Sequence, residues 1–221
     1  MGIFRRKNQS RSSGNTAINI VKEKSIEKLR ERVKILLVDD EEYEIIDILK
    51  TRGYDIYYKS DINYLIETEP FDIILLDIKG IAKMFGSPKQ GFGFAINVKN
   101  KYPQKVVVSF SGTSDIRINE ELHKIDGFIM KDTDVDTWCN RLDKYIKDYC
   151  DPNYQWNAIA NKLKKDGVNE DVINELKDEF ISSFENNSFD SFSSKFMENV
   201  KNAKELMEIL GVLISLFKAV V

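Results

Sequence analysis

Apolar residues recur along this chain in more than one rhythm, and the changes of rhythm divide it. Over residues 18–31, Ile18, Val21, Ile26 and Leu29 are spaced among charged residues, which predicts a short amphipathic lead-in helix. Next comes Lys34-Ile35-Leu36-Leu37-Val38, a short apolar run ending in Asp39-Asp40. An apolar run without polar alternation fits a strand covered on both faces, as in a parallel sheet. Residues 41–52 return to helical spacing and stop at Gly53. Residues 54–59 predict a second strand, and 61–67 a short helix capped by Ser60 or Asp61. Residues 71–76 predict a third strand ended by Asp77, and 92–102 a helix closed by Pro103. Residues 105–110 predict a fourth strand followed by Ser111, and 118–125 a short helix. Residues 127–130 predict a fifth strand followed by Lys131, and 134–149 a helix capped by Thr133 or Asp134.

Strand and helix alternate five times over residues 32–149. That alternation predicts an α/β fold, a doubly wound five-stranded parallel sheet with helices on both faces. Asp151-Pro152 breaks the pattern. Residues 151–221 then predict a small all-α region, with helices near 154–165, 169–185, 191–203 and 204–220. The last stretch is very apolar from Leu206 to Phe217 but holds Glu208 and is shorter than the ~20 residues a bilayer span needs. It reads as a buried helix or a homo-oligomer interface over 204–221, with membrane association the lesser alternative.

Charge refines this division. Residues 1–32 hold nine Lys/Arg against three Glu, residues 33–150 sixteen against twenty-one acidic groups, and residues 151–221 eight against twelve. The basic excess therefore sits in a flexible arm over residues 1–17 and in the lead-in helix. An acidic C-terminal region without an Arg/Lys-rich helix argues against DNA binding there. Two cysteines, Cys139 and Cys150, fit inert thiols in a reducing cytoplasm. A single histidine, His123, is too few for a zinc cluster, and no nucleophile motif accompanies it.

Candidate chemistry follows from the strand ends. In an open parallel sheet, ligands bind at the carboxyl ends of the strands. The fold would gather Asp39, Asp40, Asp77, Ser111 and Lys131 at that one edge. Three clustered carboxylates call for a counter-ion, and a hard divalent cation such as Mg²⁺ suits oxygen ligands. One carboxylate can then attack a phosphoryl group, while Lys131 offsets charge on its oxygens and Ser111 donates a hydrogen bond.

This set and order resembles the receiver domain of bacterial response regulators. The acidic pair matches Asp39-Asp40 in KILLVDDEE, the phosphoacceptor Asp77 in FDIILLDI, the hydroxyl Ser111 in VVVSFSG, and the lysine Lys131 in GFIMKD. The family's aromatic switch residue, three before that lysine, matches Phe128. The resemblance implies phosphorylation of Asp77 by a partner histidine kinase or phosphotransfer protein. It also implies direct Mg²⁺ contacts from Asp40, Asp77 and the backbone carbonyl of Lys79, with Asp39 acting through water or orienting the site. It implies no enzyme activity beyond the domain's own phosphorylation and dephosphorylation. The helical C-terminal region would pass the state to a protein partner. A pseudo-receiver, a binding module never phosphorylated, is the alternative. A phosphatase or nucleotide hydrolase is disfavoured, because Asp39-Asp40 is not D-x-D and no phosphate-binding G-x-x-x-x-G-K-[ST] loop occurs.

Four features depart from the family. Asp132 follows Lys131 where the family carries a cis proline, and the helix after Asp40 looks one turn short. The stretch 78–91 is long, with Lys83, Lys89 and glycines 80, 86 and 91, and Gly93 just after it, and reads as a basic flap or a solvated loop. Lys79 projects two residues after Asp77, a place that affects water access in the family.

Overall fold

The computed structural model describes residues 25–41, 43–86, 90–112, 122–186, 188–200 and 211. The expected arm over 1–17 and the apolar stretch over 204–221, apart from Gly211, lie outside the described residues. So does the first half of the helix expected over 118–125.

The described elements run α1 (Ile26–Arg30), β1 (Lys34–Val38), α2 (Ile45–Thr51), β2 (Asp55–Lys59), β3 (Ile73–Asp77), α3 (Gln90–Lys101), β4 (Val106–Ser111), β5 (Gly127–Met130), α4 (Val135–Tyr149), α5 (Pro152–Lys165), α6 (Glu170–Glu185) and α7 (Asp190–Asn199). All strand pairings are parallel, in the order β2-β1-β3-β4-β5. This is the doubly wound, flavodoxin-like arrangement, whose order reverses between β1 and β3.

Alternate residues of each strand feed two opposite cores, because successive side chains leave a strand on opposite faces. Ile35, Leu37, Ile73, Leu75, Val106, Val108 and Phe110 enter one layer, with Leu29 of α1, Leu49 of α2 and Trp138 and Leu142 of α4. Leu36, Val38, Ile74, Leu76 and Val107 enter the other, with Phe92, Phe94, Ala95 and Val98 of α3. The continuous apolar runs that marked the strands are thus the cost-free way to fill both faces of a covered sheet.

The first layer continues into the C-terminal helices. Tyr149, Cys150, Trp156, Ile159, Leu163, Phe180 and Phe192 belong to the same core. Trp156 lies 5.3 Å from Phe180, which lies 5.3 Å from Phe192, so α5, α6 and α7 close around a shared aromatic centre. Asp151 and Pro152 do more than end α4. Asp151 accepts from the amide of Asn153 and caps α5, and Pro152 occupies its first turn, where a missing N–H costs nothing. Cys139 and Cys150 are both buried, and no disulfide joins them. Among the described residues no helix is long and apolar enough to cross a membrane.

The structure differs from the sequence pattern in two places. Of the helix expected over 41–52, only Ile45–Thr51 forms, ended as expected at Gly53 with its φ of 86°. Of the helix expected over 61–67, only a 3₁₀ turn forms, Leu65–Thr68. Asp61, expected to cap that helix, instead accepts the amides of Ile62 and Ala82. The carboxylate is thereby spent on joining this loop to the segment after β3. Ile62, Ile81 and Ala82 are fully buried against the second core and cover the sheet where a longer helix was expected. The stretch after Asp77 is accordingly packed at its start, rather than a solvated loop throughout.

Candidate functional site

The carboxyl ends of β1 and β3 meet at the switch point. Asp39 follows β1 and Asp77 is the last residue of β3, and both are buried, with 1% and 5% of their surface exposed. Asp40, one residue on, is exposed. Carboxylate oxygens of Asp39, Asp40 and Asp77 lie within 4.8 Å of one another, close enough for one ion to take a ligand from each. Lys131, just past β5, places its Nζ 2.8 Å from both Asp39 Oδ2 and Asp77 Oδ2. Its ammonium also sits over the Phe110 ring, 5.3 Å from the centroid.

The backbone holds these groups in place. The amide of Glu41 donates to Asp39 Oδ1 at 3.0 Å, and the amide of Lys79 reaches Asp77 Oδ1 at 3.4 Å. Ser111 ends β4, is buried, and accepts the Lys131 amide through its backbone carbonyl at 3.0 Å. The five strand-end residues expected from sequence thus share one edge of the sheet. Phe128 is half-buried and packs against the second core. Lys79 is exposed, and the contact it makes with Asp77 comes from its amide.

Burial pushes the Asp77 carboxyl above the ordinary carboxylate value, and the Asp39 charge adds to this. The Lys131 ammonium opposes both. For Lys131 burial works downward, but its hydrogen bonds to Asp39 and Asp77 outweigh it and raise the lysine. Three carboxylates face one half-buried ammonium, with Lys83 a further 4.0 Å from Asp40 Oδ2. Without Lys83 the cluster lacks two positive charges. A divalent cation with oxygen ligands matches both that deficit and the donor set.

Several contributors gave little sign in the sequence. Tyr58 donates to the Asp39 carbonyl at 2.9 Å, and the Tyr43 hydroxyl donates to the Lys131 carbonyl. Both tyrosines fit an amphipathic pattern, so nothing marked them as site residues. Gly80 has a φ of 82°, and a Cβ there would fall 2.1 Å from Asp40 Oδ2. Only glycine allows the chain to pass so close to that carboxylate. Gln90, also at positive φ (45°), accepts the Gly80 amide at 3.2 Å through its side chain.

No protein-family model and no curated protein matches the chain. Solved structures do. The receiver domain of NtrX from Brucella abortus is 21% identical with a TM-score of 0.43, over 52% of this chain and 98% of that one. A CheY-like response regulator receiver domain protein from Methanospirillum hungatei JF-1 is 20% identical with a TM-score of 0.44, over 53% and 95%. A signal receiver domain of an HD domain-containing protein from Pseudomonas fluorescens Pf-5 is 17% identical with a TM-score of 0.44, over 54% and 90%. These similar solved structures are receiver domains, and the strand order found here is by itself that of a five-stranded, doubly wound parallel sheet.

Proposed function

We propose that this chain is a signalling receiver that takes a phosphoryl group on Asp77 and passes its state on through the C-terminal helices. The observation that carries the proposal is the pairing of two buried carboxylates, Asp39 and Asp77, with the single ammonium of Lys131 beside the exposed Asp40. A purely structural ion pair needs one carboxylate per cation. A second and third carboxylate at the same point lower stability unless a ligand compensates them.

In this reading Asp77 is the nucleophile. A carboxylate oxygen of Asp77 forms a bond to phosphorus, the bond from phosphorus to the donor breaks, and the donor leaves with that electron pair. Lys131 stays close to Asp77 and offsets charge on the phosphoryl oxygens, and Ser111 offers a hydroxyl on the neighbouring strand end. Asp39, Asp40 and Asp77, with the Lys79 carbonyl, are the groups that would hold Mg²⁺. Bound there, Mg²⁺ would supply the charge that allows a phosphoryl group to approach this acidic edge. The donor is a histidine kinase or phosphotransfer protein, since the lone His123 is exposed on the turn Leu122–Lys124 and belongs to no kinase motif. Phe128 is the switch residue, and a protein partner reads the outcome through the helices that share the α4 core.

Acetyl phosphate with Mg²⁺ tests the reading. One acid-stable, base-labile phosphoryl group is expected on Asp77 by mass spectrometry, and none in Asp77→Asn. Phosphate on another residue, or none from any donor, would leave a constitutive binding module as the better account.

A further inference from the structure

Away from the acidic edge, the second half of α3, the turn Leu122–Lys124 and the second half of α5 enclose a cleft of about 580 Å³. That volume lies within the range of small-molecule sites, which favour seams between structural units. This seam is firmly joined. Lys99 on the cleft wall pairs with Asp126 at 2.8 Å, and the Tyr154 hydroxyl of α5 donates to the same carboxylate.

The chemistry of the walls is unlike the rest of the molecule. Among the described residues, four lysines line the cleft, Lys99, Lys124, Lys162 and Lys165, against one carboxylate, Asp166, in a chain whose net charge is -3. Lys99 is balanced by Asp126, and Lys162 lies 3.3 Å from Asp166. Lys165 has no carboxylate within ion-pair reach among the described residues. Lysines in the last turn of a helix also offset its dipole, which accounts for Lys162 and Lys165 taken singly. That effect does not account for Lys124, from a third element, facing the same space. Between the cationic groups, the amides of Asn100 and Asn161 add paired donors and acceptors, and Ile96 and Ala158 add apolar wall.

We propose that this cleft binds a nucleoside phosphate, its phosphates at Lys124, Lys162 and Lys165 and its base against Asn100 and Asn161. Simple phosphate would use only the lysines. A nucleoside also uses the amide and apolar walls and fits the volume. Because the cleft is walled by both the α/β unit and α5, occupancy would tighten the attachment of the C-terminal helices. The site is separate from Asp77 and does not depend on phosphorylation there.

The test uses the full chain at 0.15 M salt with a metal chelator, so that surface attraction is screened and the acidic edge takes no metal–nucleotide complex. ATP, GTP, CTP, UTP and pyrophosphate are titrated by calorimetry and amide NMR. At least one nucleotide is expected to bind saturably and at least tenfold more tightly than pyrophosphate, shifting resonances of residues 96–103 and 158–166. Lys165→Glu, at an exposed position that leaves folding intact, is expected to weaken that binding tenfold or more, and Asp77→Asn to leave it unchanged. The proposal is overturned if no nucleotide binds saturably, if pyrophosphate binds as well as any nucleotide, or if Lys165→Glu has no effect.

Discussion

The two edges of the sheet treat carboxylates in opposite ways. At the carboxyl edge, Asp39 and Asp77 share one lysine, and Asp40 stands exposed beside them. At the amino edge, Asp72 and Asp126 each have a full set of partners. Asp72 accepts the Lys34 amide at 2.8 Å and the Tyr149 hydroxyl at 2.6 Å. Asp126 accepts the Val107 amide at 2.8 Å, the Lys99 ammonium and the Tyr154 hydroxyl. Each of these two aspartates precedes a strand and binds the amide of a residue in an adjacent strand. Each is closed by a tyrosine from the α4–α5 junction. Satisfied carboxylates hold elements together, whereas crowded ones store repulsion that a ligand can relieve. The difference shows that an acidic residue at a strand end means little until its partners are counted.

Breaking the amino edge should cost most. Asp126→Ala leaves Lys99, Val107 and Tyr154 without their acceptor, and a loss of about 3 kcal/mol in urea unfolding is expected, as for other broken buried pairs. A loss below about 1 kcal/mol would remove the contrast between the edges.

Lys105, buried at the same edge against the carbonyls of Glu69 and Phe71, gives a pH signature. Burial lowers it from 10.5 to about 8, although the nearby Asp72 and Glu69 charges work to raise it. Between pH 8 and 10.5 the unfolded chain therefore binds more protons than the folded one, and stability should rise with pH across that window. The rise, on the order of 2 kcal/mol, should be missing in Lys105→Met when the two are compared by urea unfolding at each pH.

The carboxyl edge should respond the other way. Asp77→Asn removes one of the carboxylates that share Lys131, so stability is expected to stay level or rise by about 1 kcal/mol while phosphorylation is lost. A marked loss of stability would mean that Asp77 is held for structure. The smallest effect is expected at Lys83, exposed and 4.0 Å from Asp40. Lys83→Ala should change stability by less than ~0.5 kcal/mol. It should modestly tighten Mg²⁺ binding, followed by tyrosine or tryptophan fluorescence, by removing a competing cation.

Much of this was legible in the chain. Apolar runs such as Ile35–Val38 and Ile73–Leu76 announce doubly covered strands, because a buried parallel strand has no polar face to reveal. The residues that end those runs, Asp39, Asp77, Ser111 and Lys131, could be placed on one edge from strand order alone. The asymmetric role of Asp72 and Asp126 was not legible. Each is a lone acid before a strand, and its meaning depends on Tyr149 and Tyr154, which lie 77 and 28 residues away in sequence.

Local sequence thus determined the elements, since burial on one face or two leaves its period in the order of residues. It also determined which chemical groups stand at the strand ends. Tertiary structure alone decided that residues 61–67 form only a 3₁₀ turn, because Asp61 is drawn to the Ala82 amide and Ile81 and Ala82 take the space over the sheet. It alone decided that Gly80 must lack a side chain, since the reason is a carboxylate forty residues earlier. And it alone decided that the C-terminal helices share a core with the sheet. Long-range partners set which neighbours compete for a given group, and that competition leaves no periodic trace in the sequence.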